Sequence, residues 1–149
     1  MGFKVAVVGA TGNVGREMLN ILAERMFPAD EVVALASRKS MGVEVSYGDT
    51  TIKCKTLDHY DFSDVDICLM SAGGEVSKEW SPKIAAKGAV VIDNSSAWRM
   101  DPGVPLVVAE VNPHALKSIR KGIVANPNCT TMAAMPVLKP LHEAAASSA

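Results

Sequence analysis

Asn126-Pro127-Asn128-Cys129, followed by Thr130-Thr131, sets a thiol between a short apolar run and a segment able to start a helix. A thiol at a helix N-terminus sees the partial positive charge of free N–H groups, which favours the nucleophilic thiolate. Pro127 stiffens the approach, and Asn128 and Thr130 are small polar groups that can hydrogen-bond nearby. Taken alone, such a cysteine reads first as buried and inert, because free cysteine is commonly buried. A second constellation, Asp93-Asn94-Ser95-Ser96-Ala97-Trp98-Arg99, also follows an apolar run. Its two hydroxyls, Ser95 and Ser96, and Arg99 can cradle a phosphate or carboxylate, or form an Asx-type turn with an exposed arginine.

A third group lies near the N-terminus. Gly9-Ala10-Thr11-Gly12-Asn13-Val14-Gly15 follows a β-branched run and opens a helical pattern. The spacing is GxxGxxG, not the commoner GxGxxG, but the physics is shared. Gly9 permits a tight turn, Gly12 lets the backbone approach a pyrophosphate, and Gly15 allows close helix–strand packing. The helix N-terminus offers free N–H groups to that anion. The next apolar run ends in Ala36-Ser37-Arg38-Lys39-Ser40. An NAD-selective site usually has an acid there for the ribose 2′-hydroxyl. Here are hydroxyls and two cations, and Arg38 can pair with a 2′-phosphate, so the pattern favours NADP. A solvated basic loop is the other reading of Arg38 and Lys39.

The elements that must position these groups alternate. Residues 3–8 read as a buried strand, and apolar spacings of Val14, Met18, Ile21, Leu22 and Met26 predict a helix ending before Pro28. A second strand spans 31–36, and 43–54, broken by Gly48-Asp49, reads as a small hairpin. Strands follow at 65–71, 89–92, 106–109 and 123–125. Helices are expected over about 75–87, with Pro82 kinking or restarting it, and over 113–118. Residues from Cys129 to Glu143 are helix-compatible, with Pro136 and Pro140 bending or shortening the helix. Alternation over short loops predicts an α/β fold, a doubly wound, mostly parallel sheet of the Rossmann-like, NADP-binding kind. Every candidate loop then follows a strand, where that fold gathers its ligands.

At 149 residues, with 48% apolar and 21% charged residues and a formal charge of -1, the chain is one globular domain's worth of sequence. Acids and bases are interspersed, which argues against a nucleic-acid surface. No apolar run nears the ~20 residues of a membrane span. The three cysteines make no CxxC pair and no metal-like cluster with His59, His114 or His142, so no metal is expected. Sparse, odd cysteines fit a reducing, cytoplasmic setting. Cys68, within an apolar run, reads as core, and Cys54 lies in a likely strand with alternating faces.

Taken together and in order, the glycine loop, residues 36–40, Ser71-Ala72-Gly73-Gly74, residues 93–99 and residues 126–131 resemble bacterial aspartate-β-semialdehyde dehydrogenase, over its N-terminal, NADP-binding domain to about Leu141. The resemblance implies that Cys129, with Asn128 beside it, is the catalytic nucleophile and carries an acyl thioester. It implies that Arg99, with Ser96, binds the substrate phosphate. Thr11, Gly12, Asn13 and Val14 would cradle the cofactor phosphates, Ser37, Arg38, Lys39 and Ser40 the 2′-phosphate region, and Ser71, Ala72, Gly73 and Gly74 the nicotinamide side. The implied reaction converts L-aspartyl-4-phosphate and NADPH to L-aspartate semialdehyde, phosphate and NADP⁺, in lysine, threonine, methionine and isoleucine synthesis. The family's second domain, with its acid/base histidine and main homodimer or dimer-of-dimers interface, is expected to be missing. Residues 1–143 then form the domain, and 144–149 a truncation tail. A chain so cut would bind NADP without turnover. The alternative is the cofactor domain of a related acyl-phosphate reductase, of the N-acetylglutamyl-phosphate or glyceraldehyde-phosphate type. Ala109 departs from the family's frequent proline.

Overall fold

The computed structural model describes residues 2–147. Eight strands and three α-helices follow one another as β1 (Phe3–Val8), α1 (Asn13–Glu24), β2 (Ala29–Ala36), β3 (Glu44–Tyr47), β4 (Thr50–Lys53), β5 (Lys55–Thr56), β6 (Ile67–Met70), α2 (Gly74–Ala85), β7 (Val90–Asp93), β8 (Ile123–Ala125) and α3 (Cys129–Ser147). Short 3₁₀ turns sit at Arg38–Ser40, Leu57–His59 and Pro113–Ser118. The main sheet runs β5-β2-β1-β6-β7-β8, and every neighbouring pair is parallel. Counting only its own strands, that is the order 3-2-1-4-5-6. The order reverses between β1 and β6, and this switch point is where a doubly wound sheet leaves a crevice.

Alternation along the strands sorts two cores. Ala6, Val8, Val33, Leu35, Cys68, Met70 and Val91 face one side, where Ile84 of α2 and the ring of Trp98 pack. Val7, Ala34 and Ala36 face the other, closed by Leu19 of α1 and by Val45 of the β3–β4 hairpin. The strands read as continuous apolar runs because both faces are covered.

Several local expectations change. The buried stripe of α1 is Gly15 and Leu19, with Met18 and Leu22 beside it. Val14, Ile21 and Met26 are exposed instead. Residues 106–109 form no strand. They make one bridge, Leu106 to Ala125, before the Asn112 side chain accepts the Val108 N–H (2.8 Å) and donates to the Leu106 carbonyl (2.9 Å). A side chain that competes for backbone groups ends the ladder there. Pro82 does not restart α2, which runs through it to Ala85. It is exposed in the last turns, where the carbonyl it leaves without a helical donor belongs to exposed Lys78 and can turn to water. α3 likewise runs unshortened through Pro136 and Pro140, and it continues past residue 143 to Ser147. Ser148 and Ala149, the rest of the expected tail, lie outside the described residues. The edge strand β5 had no sequence signal of its own.

Candidate functional site

Because the sheet is parallel, all its strands deliver their carboxyl ends to one edge, and the candidate loops meet there. After β1 the chain turns at Gly9, whose φ of +84° lies in the left-handed region, and the N–H groups of Gly9 and Ala10 both donate to the Leu35 carbonyl (2.9 and 3.1 Å). A Cβ at Gly9 would collide with the Ser71 carbonyl, and one at Gly15 with the Gly9 carbonyl. Two glycines are therefore demanded by backbone crossing backbone. Gly12 is different. It has an extended conformation, and the nearest atom to a Cβ there is the Gly9 carbonyl oxygen at 3.3 Å. No side chain caps α1, so its first N–H groups are left for an anion.

A cleft of about 500 Å³ opens over this turn, lined by Gly9, Thr11 and Gly12, by Ser37 and Arg38, and by Ser71 and Ala72. These are expected cofactor residues, gathered from three strand ends. Asn13, Val14, Gly15, Lys39, Ser40, Gly73 and Gly74 do not line it. Gly15 contributes by packing, and Gly73 by a φ of +87° at the uncapped start of α2. The far wall had not been read from sequence: Leu57 and Asp58 after β5, and Val76, Glu79 and Trp80 of α2. Only a tertiary arrangement, β5 pairing with β2 and α2 lying over β6, brings them in. The cradle that no Cβ may enter, the uncapped helix N-terminus and the cation beside it suit the diphosphate and ribose of a nicotinamide dinucleotide.

Arg38 is held by Asp58, with Nε donating to Oδ2 at 2.8 Å, and its Nη2 stands 3.4 Å from His59 Nε2. Both members of the ion pair are solvent-exposed, Arg38 by 70% and Asp58 by 44%.

Arg99 and Cys129 lie further along the same edge. Arg99 donates from Nε to the Asn126 carbonyl (2.8 Å) and from Nη2 to the Asn94 carbonyl (3.0 Å), so it ties the loop after β7 to the loop after β8. Two of its five N–H donors are engaged and three are left for an anion. Of the two hydroxyls, Ser95 shapes the turn: it donates to Asp93 Oδ2 (2.6 Å) and accepts from the Ala97 N–H (3.1 Å). Ser96 is exposed. Asp93 is fully buried, and its Oδ1 has no partner. Asn94 reaches back from Nδ2 to Ser71 Oγ (3.0 Å), joining this loop to the cofactor cleft.

Cys129 is the first residue of α3 and is exposed. Asn128 caps that helix, its Oδ1 accepting the Thr131 N–H at 2.8 Å. Its side-chain oxygen is thus engaged in fixing the turn that presents the thiol. Cys68 is buried, and burial pushes its thiol up to about 12, with the Asp93 charge acting the same way. Cys54, also buried, is raised by burial too. Cys129 is the one exposed thiol among the described residues. The three histidines are exposed: His59 lies in the 3₁₀ turn after β5, His114 in the 3₁₀ turn after residue 112, and His142 on α3 itself, thirteen residues beyond Cys129. No group of metal-ligating side chains is assembled among the described residues, and none of the helices there is long and apolar enough to cross a membrane.

Known proteins resemble this chain in sequence and fold. Residues 4–119 match the family model described as semialdehyde dehydrogenase, NAD binding domain. The aspartate-semialdehyde dehydrogenase of Aquifex aeolicus is 54% identical over 97% of this chain and 43% of its own length. That of Streptomyces akiyoshiensis is 58% identical over 95% and 41%. Among solved structures, aspartate semialdehyde dehydrogenase II of Vibrio cholerae, complexed with ASA, superposes with a TM-score of 0.93 at 47% identity, over 97% of this chain and 47% of that one. The chain thus spans less than half the length of these relatives. From residue 4 to residue 119, through the glycine turn, the cleft and the Arg99 loop, the chain belongs to the semialdehyde dehydrogenase family as an NAD-binding domain.

Proposed function

We propose that this chain is the NADP-binding part of an aspartate-semialdehyde dehydrogenase that reduces L-aspartyl-4-phosphate to L-aspartate semialdehyde through a thioester on Cys129. The observation that carries the reading is Arg99, anchored to both strand-end loops, three residues from one of which Cys129 opens α3. In this reading the Cys129 sulfur attacks the acyl-phosphate carbonyl, a C–S bond forms, and the C–O bond to phosphate breaks with its electrons leaving on the phosphate. Arg99 offers its remaining donors to the charge that accumulates there. Asn128 fixes the helix turn beneath the sulfur, and Ser95 with Asp93 holds the loop that carries Arg99. A nicotinamide cofactor bound here would supply a hydride for reduction of the thioester carbon, and Cys129 would be released as thiolate when the C–S bond breaks. Thr11, Gly12, Ser37, Arg38, Ser71 and Ala72 would hold that cofactor. Such chemistry belongs to amino-acid biosynthesis in the cytoplasm, and the complete enzyme would be a homodimer or a dimer of dimers.

Incubating the chain with L-aspartyl-4-phosphate and trapping the product by mass spectrometry tests this. Wild type should gain an aspartyl thioester, and Cys129→Ser should not, while both bind NADP⁺ alike. Adduct formation on Cys129→Ser to the same extent as on wild type would remove Cys129 from the mechanism. N-acetylglutamyl phosphate and 1,3-bisphosphoglycerate, tried alongside, address the related reductases; a preference for either would replace the aspartyl assignment. Turnover is not expected from these 149 residues, because the acid/base histidine of the resembled family lies in the second domain.

A further inference from the structure

We propose that Asp58 is a specificity-determining residue of the cofactor cleft, one that opposes Arg38 and narrows the preference for NADP over NAD. The inference rests on the reading of that cleft as a nicotinamide-dinucleotide site. An acid near the adenosine ribose accepts a hydrogen bond from the 2′-hydroxyl of NAD and repels the 2′-phosphate of NADP. Dinucleotide folds usually place it at the end of the second strand, and here that position holds Ser37 and Arg38. The neighbouring strand supplies the acid instead. β5 runs parallel to the end of β2, with Leu35 beside Lys55 and Ala36 beside Thr56, so the 3₁₀ turn that follows delivers Asp58 to the same wall as Arg38.

The geometry gives the carboxylate two effects. It accepts from Arg38 Nε at 2.8 Å, and His59 Nε2 stands 3.4 Å from Nη2, so the Nε–Nη2 edge of the guanidinium, one of its two bidentate faces, is already taken. A 2′-phosphate must then use the Nη1–Nη2 end or displace Asp58. In either case the phosphate sits on a guanidinium that the carboxylate touches, well inside the ~10 Å over which exposed charges feel each other at 0.1 M salt. The rest of the lining does not compensate. Its other charged side chain is Glu79, paired with Lys83 outside the cleft at 2.8 Å. Asp58 could instead serve to position Arg38, but the pair is exposed on both sides, and such pairs hold geometry weakly. Charge therefore outweighs positioning.

The test is calorimetric titration of the chain with NADP⁺ and with NAD⁺, for wild type, Asp58→Asn and Arg38→Ala. Asp58→Asn should tighten NADP⁺ by roughly tenfold at 50 mM salt while NAD⁺ is unchanged or weakened, and the gain should shrink at 500 mM salt as screening shortens. Arg38→Ala should move the NADP⁺ to NAD⁺ ratio the other way. Weaker NADP⁺ binding by Asp58→Asn would show a positioning role and overturn the proposal, as would equal changes for both cofactors. A wild type that binds neither overturns the nicotinamide reading and the proposal together; a wild type that binds, with an unmoved ratio in Asp58→Asn, overturns only the role of Asp58. Asp58 is exposed on a short turn, so thermal unfolding of the variant should match wild type.

Discussion

Cys68 is packed in mid-sheet between β1 and β7, where water cannot solvate a thiolate, and Cys54 is buried beneath the hairpin. Burial raises both thiols above their ordinary value of 9.0, Cys68 to about 12. In the unfolded chain both ionise near 9.0, so above that pH the unfolded state binds fewer protons than the folded one and stability must fall as pH rises. Between pH 9 and 10 the loss steepens toward about 1.4 kcal/mol per pH unit for Cys68, and Cys54 adds to it in the same direction. Tyr60 (ordinary value 10.0) and Lys4 (10.5), whose values are also raised, act in the same direction and begin to contribute at the top of that window. Urea unfolding at pH 7.5, 9 and 10 should therefore show a drop that Cys68→Ala reduces; an unchanged drop in the variant would place its cause elsewhere. At this scale the sequence separates the thiols well, because an apolar run around Cys68 and a polar loop before Cys129 are local signals. It does not separate Ser95 from Ser96. Which hydroxyl meets Asp93 depends on the turn's dihedrals, and adjacent identical residues carry no mark of them.

The elements around the cleft differ in what their glycines are for. A methyl at Gly15 collides with the Gly9 carbonyl and must push α1 off the turn, whereas at Gly12, which lines the cleft, a methyl meets the Gly9 carbonyl oxygen at a tight but tolerable 3.3 Å. Gly15→Ala should cost about 1–3 kcal/mol in denaturant unfolding, the usual penalty of overpacking. Gly12→Ala should cost at most about 1 kcal/mol, as a weaker helix cap, yet cut NADP⁺ affinity severely. Equal stability losses in the two variants, or a Gly12→Ala chain that binds normally, would contradict this division. The parallel, doubly wound class of the sheet was readable from alternation and short loops, because right-handed crossovers leave a parallel sheet few alternatives. The failures were of another kind. Residues 106–109 look like a strand and are prevented from continuing as one by Asn112, while β5 is too short to have a pattern and exists because β2 offers an open edge. The floor of the cleft was therefore legible, and its Leu57–Asp58 wall was not.

At the scale of the whole molecule, the sheet and α3 are unlike each other. Both faces of β1 and β2 are covered, but α3 extends for 19 residues and buries none of them. Val137, Leu138 and Leu141 are 59%, 53% and 62% exposed and, at spacings of one, three and four, share one side of the helix. A contiguous apolar side of this kind is an association surface, each such side chain gaining about 1.5–3 kcal/mol on full burial. The chain spans 43% and 41% of the length of two relatives, and a second copy of these 149 residues offers the same apolar side for pairing. Light scattering should then give a mass that climbs above the monomer as concentration rises, with cofactor binding intact because the cleft lies over β1 and β2. Replacing Val137 and Leu141 together by Lys should return the monomer mass at every concentration, since both side chains are already exposed and neither lines the cleft. A wild-type chain that stays monomeric at high concentration would show that this side of α3 is not adhesive. A lysine variant that still self-associates would move the adhesive surface elsewhere, to other exposed apolar side chains such as Met100 at 93% exposure.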